Sequence, residues 1–510
     1  MPAIHLNRAD AYCQLGDLDA AERELAQIKE TDAIRLRLRL VQGYVAASRN
    51  KLEAATRLFS EAGMLSETAT DKRDLDYRWR AFLELARLHH RAGRPDAAEQ
   101  AYFDAIDTVE KLRGTADGIE LRPGVLARRI QPYHELLSLL VKQGQRRWID
   151  ALAVAESIHA RSWLDAVLSR TPRGPTTSKQ ALRNARIQRL PALTARPLSG
   201  PELIARVGAR EALVFVATGS TAWRAHVVTG QVTFQQLPAS AAAAVADYRA
   251  HPGDHAVAER AAAVLIPQNL QRSEQPLYIV ASGMLADQPL ADVLFAGLQR
   301  NGRYLMEDRP ISYLPGLAAL RCAPGLWEED LQIIIGDSRG DLPKAREEAT
   351  RLAAAMGTKP SVGAGATRVA VVPAGRASLL HMAVHGSSTQ LGRAVVLADG
   401  DLPAADVLDL GLGPRLAVLT GCATAISPDR ESWAAFPSAF LAAGSRHVIA
   451  TMRSVDDGKA AELTKAFYAQ LAANRSPIHS LTNAQRQLAG KLPVEDWASF
   501  GAWGDAGCLP

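Results

Sequence analysis

The stretch LLHMAVHG, Leu379 to Gly386, and its companion LAVLTGCATA, Leu416 to Ala425, decide how this chain of 510 residues is read. Each contains a short apolar run of the kind that forms a buried strand, and each reaches a glycine beside a reactive side chain. That side chain is His385 in the first and Cys422 in the second. The two stand 37 positions apart, room for a helix or loop excursion and a return to a neighbouring strand. A cysteine attacks a carbonyl as thiolate, so it needs a base and donors for the oxyanion that forms. His385 is the candidate base, Cys422 the candidate nucleophile, and the backbone N–H groups of Gly386 and Cys422 the candidate oxyanion donors. Taken singly these signals have plainer readings, since a cysteine after a β run is usually a small buried hydrophobe and a strand histidine a satisfied core residue. His381, on the same run, reads as structural.

The surroundings of the two phrases are β-rich runs alternating with helical ones. Ala212 to Ala217, Ala225 to Val228, Leu277 to Val280, Leu331 to Ile335, Ser378 to Met382, Leu416 to Thr420 and His447 to Thr451 are expected strands. Lys344 to Met356, Ala434 to Ala443 and Lys459 to Ala473 are expected helices. The alternation predicts a largely parallel sheet covered by helices, with chemistry collected outside the carboxyl ends of the strands.

The first 110 residues are different in texture. A small residue or Asn is followed by two alanines and then a bulky apolar residue: Gly16 with Ala20, Ala21 and Leu25; Asn50 with Ala54, Ala55 and Phe59; Gly93 with Ala97, Ala98 and Tyr102. The first interval, 34 residues, is the period of tetratricopeptide repeats, and the second, 43, predicts a longer loop over Ser66 to Asp76. An ordinary helical bundle is the alternative. Ile130 to Leu168 continues the three- and four-residue apolar spacing, which stops before Thr171 to Gly200, a basic, proline-containing stretch read as a linker.

Composition excludes several function classes. With 47% apolar and 22% charged residues, and no apolar run near the roughly 18 residues that span a bilayer, no membrane anchor is expected. Met1 to Asp10 lacks the apolar core of a secretory signal, so a cytoplasmic protein is expected. A net charge of +5 gives little support to direct nucleic-acid binding. Cys13, Cys322, Cys422 and Cys508 have neither metal-ligand spacing nor disulfide density, so each is expected to be a free thiol. No phosphate-loop motif joins a strand to a helix, and Asp456 and Asp457 lack a His or Cys at metal-ligand spacing; neither a metal nor a cofactor is expected.

Several phrases in order resemble one family. They are AESIHARSWLDAVL (Ala155 to Leu168), LYIVASGMLADQPLADVL (Leu277 to Leu294), RYLMEDRPISYLPGLAAL (Arg303 to Leu320) and IIIGDSRGDLPKAREEATRL (Ile333 to Leu352). AVHGSS (Ala383 to Ser388), VLTGCATA, FLAAGSRHVIATMRSVDD (Phe440 to Asp457) and DWASFGAWGD (Asp496 to Asp505) follow. From about Glu156 onward the chain resembles the CHAT domain, a caspase-like domain found with tetratricopeptide repeats, in the clan of caspases and separases.

That resemblance implies a caspase-like α/β fold behind a helical solenoid. It divides the chain into residues 1–170 (repeats), 171–200 (linker), 201–325 (a pseudo-caspase-like half) and 326–510 (the catalytic half). It also implies a cysteine endopeptidase with Cys422 as nucleophile and His385 as base. The partners implied are a protein substrate and a protein activator or inhibitor bound by the repeats. A catalytically idle scaffold is the competing reading, since Ala423, Thr424 and Ala425 stand where the family has Glu-Thr-Gly. Arg453 replaces a usual Trp. The phrase with Asp456 and Asp457 resembles a segment of separases, which cleave after Arg. Asp456 is therefore the candidate pocket acid for a basic residue at the cleavage point, with Asp457 and Arg453 beside it; an apolar pocket with paired charges, or a solvated turn, are the alternatives.

Overall fold

Gly16, Asn50 and Gly93, which open the three copies of the N-terminal phrase, all have left-handed backbones, with φ of +80°, +58° and +67°. In this computed structural model each closes a helix in the same way. The next residue's N–H reaches back to a carbonyl in the last turn, Asp17 to Tyr12, Lys51 to Ala46 and Arg94 to His89, at 2.9, 2.8 and 3.0 Å. The bond satisfies a carbonyl the helix end leaves open, and glycine or asparagine takes the turn at least cost.

The result is three antiparallel hairpins: α1 (Pro2–Leu15) with α2 (Leu18–Ala26), α3 (Asp32–Ser48) with α4 (Leu52–Met64), and α5 (Lys72–Arg91) with α6 (Pro95–Gly114). Ala21, Ala55 and Ala98, the second alanine of each phrase, are fully buried where the helices approach. The Phe59 ring lies on the backbone of Gly43, and Phe82 on that of Gly63, leaving no space for a side chain at either glycine. Helices α7 (Arg122–Ala127) and α8 (Gln131–Lys142) complete this unit, which comprises residues 1–117 and 121–143.

The structure describes residues 2–65, 71–116, 122–169, 195–218, 221–281, 283–285, 288–321, 325–389, 392–425, 435–474 and 476–507. The expected linker core, Cys322 and Cys508 lie outside them. So do residues 66–70 of the expected long loop, whose remainder is the N-cap Asp71 and the first turn of α5. Cys13 and Cys422 are free thiols. Among the described residues no helix is long and apolar enough to cross a membrane, and no group of three or more His, Cys, Asp or Glu is placed to hold a metal.

The second unit starts at Gly144, whose φ of +90° breaks the helical run predicted across Ile130 to Leu168. Helix α9 (Trp148–Ser169) therefore groups with the sheet rather than with the hairpins. Its buried Glu156 accepts the N–H groups of Leu317 and Ala318, both at 2.8 Å.

The sheet has eleven strands. In chain order they are β1 (Glu211–Thr218), β2 (Thr221–Val228), β3 (Gln231–Gln236), β4 (Leu277–Ala281), β5 (Ile311–Tyr313), β6 (Glu328–Gly336), β7 (Ser361–Val362), β8 (Ala377–Ala383), β9 (Leu416–Leu419), β10 (His447–Thr451) and β11 (Phe500–Gly504). Across the sheet they run β7-β6-β8-β9-β10-β11-β5-β4-β1-β2-β3. Among the described residues of this sheet only β1–β2, β2–β3 and β10–β11 pair antiparallel, so it is mixed and mostly parallel. Strands β8 and β9 are buried along their length, as continuous apolar runs in a covered parallel sheet require. The two halves meet at β11: Trp503 pairs with Tyr313 of β5 and stacks on it at 5.1 Å, and Ser312 donates to the Gly504 carbonyl at 2.7 Å.

Candidate functional site

Strands β8 and β9 are parallel neighbours in the register Leu379↔Leu416 to Met382↔Leu419. His385 and Cys422 each lie three residues beyond the last matched pair, so equal lengths of chain carry them off the same end of the sheet. The Thr420 N–H donates to the Met382 carbonyl at 3.0 Å, holding the two exits together.

Beyond that bond the loops touch backbone to backbone. A methyl group on Gly386 would be driven into the carbonyl oxygen of Cys422, and one on Gly421 into that of Val384. Both glycines are demanded by this close approach. Arg393, on the strand Gly392–Leu397, reinforces it: Nη2 donates to the Cys422 carbonyl at 2.8 Å and Nη1 to Ser388 Oγ at 2.7 Å. Burial pulls the Arg393 guanidinium below its ordinary value, and the neighbouring Cys422 thiol acts against that.

The turn after Cys422 is bound to the carboxyl end of β10. Thr451 Oγ1 donates to the Gly421 carbonyl, the Ala423 N–H to the Arg453 carbonyl at 3.2 Å, and the Ala425 N–H to the Thr451 carbonyl at 2.9 Å. Ala423 has a φ of +51°, a left-handed conformation that costs a side-chain-bearing residue about 1–2 kcal/mol and is held by these bonds. Cys422 is half-buried and its Sγ lies 3.9 Å from the Val455 carbonyl.

His385 has a carboxylate partner that sequence reasoning did not single out. Its Nε2 lies 2.9 Å from Asp341 Oδ1, with the two side chains 36% and 56% exposed. Asp341 sits in the loop leaving β6, and that loop is pinned at Asp337. The Asp337 N–H donates to the Ala383 carbonyl at 2.9 Å, while its carboxylate accepts the Leu342 N–H at 2.9 Å and Arg346 Nε at 2.6 Å. Burial raises the Asp337 carboxyl, but the Leu342 and Arg346 bonds outweigh it and the net shift is downward. The only sequence signal for Asp341 was its place in the IIIGDSRGDLPKAREEATRL phrase. Arg393 had none.

The expected pocket residues are placed as follows. Asp456 is exposed, and its Oδ1 accepts the N–H groups of Gly458 and Lys459 at 3.0 and 3.2 Å, capping the helix Asp457–Asn474. Asp457 Oδ2 accepts the Lys344 and Ala345 N–H groups at 3.0 and 3.3 Å, in the first turn of the helix Pro343–Ala355. Arg453 is half-buried, and its Nη1 donates to the Arg249 carbonyl at 3.0 Å; burial lowers its guanidinium from the usual value. His381 is fully buried, with Nδ1 2.9 Å from the Tyr468 hydroxyl and Nε2 3.2 Å from Glu348 Oε1.

Comparison with known proteins agrees with this architecture. Residues 255–505 match the family model of the CHAT domain. No curated protein matches the sequence. A solved structure of the Saccharomyces cerevisiae separase–securin complex is similar, with a TM-score of 0.51 and 8% identity over 98% of this chain and 46% of that chain. A second structure of that complex gives 0.38 and 9% over 98% and 56%. The chain thus spans under half the length of the first separase match, and at such identity the likeness is one of fold. Residues 255–505 are thus similar to the CHAT domain, and the chain has a separase-like fold.

Proposed function

We propose that this chain is a cysteine endopeptidase that cleaves a specific protein through Cys422 and His385. The observation that carries the reading is the register-matched exit of the two residues from adjacent parallel strands, onto loops in backbone contact through Gly386. Asp341, bonded at His385 Nε2, leaves Nδ1 to take the thiol proton. The thiolate attacks the scissile carbonyl carbon, and the oxyanion is received by the N–H groups of Cys422 and Gly386. His385 returns the proton to the leaving amine, and water then hydrolyses the thioester. The helical hairpins recruit the substrate, or a protein activator or inhibitor, because stacked hairpins present an extended surface suited to a peptide or helix.

A second reading, an idle scaffold for protein–protein interaction, is favoured by one observation: Cys422 Sγ faces the Val455 carbonyl, and no bond joins it to His385 among the described residues. Labelling of the full chain with a peptidyl thiol-reactive probe separates the two. Endopeptidase action requires labelling that is lost in Cys422→Ala and falls at least a hundredfold in His385→Ala, with the double variant no worse than Cys422→Ala. Labelling by the peptidyl probe no faster than by simple iodoacetamide, and indifferent to His385, would establish the scaffold.

A further inference from the structure

At the edge of the sheet remote from Cys422, strands β2 and β3 enclose a cavity of about 400 Å³ lined by Arg224, His226, Thr233, Gln235, Gln268 and Asn269 among others. Arg224 is only 5% exposed. Its Nη1 donates to the carbonyls of Val264 and Leu265 at 3.3 and 3.0 Å, and its Nη2 to Gln235 Oε1. All three acceptors are neutral. Nε is buried and without a partner among the described residues.

A buried cation is normally retained only where an anion or a metal-like charge balance accompanies it. The two carbonyls belong to the end of the helix His255–Leu265, whose dipole offers about half a negative charge at most. The nearby carboxylate is already engaged: Glu211 lies 2.6 Å from His226 Nε2 and also pairs with Arg309, so that group of three is balanced without Arg224. Burial, opposed by no neighbouring charge, pulls the Arg224 guanidinium down to about 10. The polar part of the wall is otherwise hydroxyl, amide and imidazole, the groups that complete the coordination of an oxyanion, with Ala263, Ile266 and Pro267 completing the lining, and the volume lies in the range of small-molecule sites, roughly 300–1,000 Å³.

We propose that this cavity is a binding site for a small oxyanion-bearing molecule, a carboxylate or a phosphate, with Arg224 as its counter-charge. The site lies apart from the Cys422 loops, and its occupancy is independent of whether the chain cleaves peptides.

The test follows the thermal midpoint of the full chain in acetate, inorganic phosphate and chloride at matched ionic strength. A saturable rise of roughly 1–2 °C is expected at about five times Kd. It should come with acetate if the ligand is a carboxylate or with phosphate if it is a phosphate, and not with chloride. Arg224→Met should abolish the rise. Gln235→Glu, nearly isosteric and already bonded to Arg224, should supply the missing charge in place, raising the midpoint without added anion and removing the response. No oxyanion-specific rise in the wild type, or a rise that survives Arg224→Met, would overturn the proposal. Should Arg224→Met fail to fold, an undiminished response in Gln235→Glu would overturn it equally.

Discussion

Adding one methyl group at Gly386 tests whether the His385 and Cys422 loops act as one site. The backbone of Gly386 lies directly against the Cys422 carbonyl oxygen, so in Gly386→Ala that carbonyl must withdraw by about 1 Å to regain ordinary contact. The obstacle is backbone, not the flexible end of a side chain, so the strain is not relieved by rotation. Overpacking of this kind costs about 1–3 kcal/mol, and the same retreat stretches the 2.8 Å bond from Arg393 to the Cys422 carbonyl. A shift of about 1 Å at a reacting centre lowers rate by a factor of roughly 100, equivalent to about 2.7 kcal/mol of barrier. The assay is the second-order rate of Cys422 labelling by a peptidyl electrophile, compared with labelling by iodoacetamide, which needs no oxyanion donors. The peptidyl rate should fall about a hundredfold and the iodoacetamide rate by less than about threefold. A folded variant with a wild-type peptidyl rate would refute the idea that the two loops form one site.

Asp341→Asn should slow peptidyl labelling about tenfold while leaving the thermal midpoint within about 2 °C, because an ion pair this exposed contributes little to stability and its value lies in orienting the imidazole; an unchanged labelling rate would remove Asp341 from the site. His447 is buried with Nε2 3.2 Å from the Asp505 carbonyl, and burial pushes its pKa down to about 4. Between pH 6.5 and 4 the unfolded chain binds a proton that the folded chain refuses, so this group makes stability fall as pH falls, by about 3 kcal/mol across the window. Glu156, raised to about 7 by burial against its bonds from Ala318 and Leu317, works in the opposite sense, its contribution falling as pH rises from about 4.5 to 7. The His447 effect is therefore read as the difference between His447→Gln and wild type in urea melts: the variant should gain relative stability steadily from pH 6.5 to 4, and a constant difference would be the refuting result.

Where burial pattern alone sets an element, the sequence was readable: β8, β9 and β10 are apolar runs with no competing periodicity, and the strand runs read at Ala212, Leu277 and Leu331 fall inside β1, β4 and β6. Strand β11 was not read, because FGAWG carries two glycines that weaken any β signal. The structure gives the reason for one of them: a side chain at Gly501 would strike Trp503 and Tyr313, whose stacking joins the halves of the sheet. Strand β7, two residues long, falls below any periodicity. The same limit applies to the site. His385 and Cys422 are visible because each follows its own strand directly, whereas Asp341 reaches His385 only through the Asp337 bonds that fold back a loop 44 positions away in sequence. The acids at Asp456 and Asp457 carried an ambiguous signal, since Asp before a helical run is equally the mark of an N-terminal cap, and both carboxylates accept helix N–H groups.

The placement of β11 sets when the two halves of the sheet can join during synthesis. A chain emerging amino end first can assemble β1 to β5 as one patch and β6 to β10 as another, but the ladder linking them is Phe500–Gly504, which stands between β10 and β5. Until those residues have been synthesised, β10 lacks one edge partner, and with it the footing to which Thr451 ties the Cys422 turn. If the chain acts as the proposed peptidase, that action waits until Phe500–Gly504 have been made, and a break just before Phe500 would disarm the thiol without touching it.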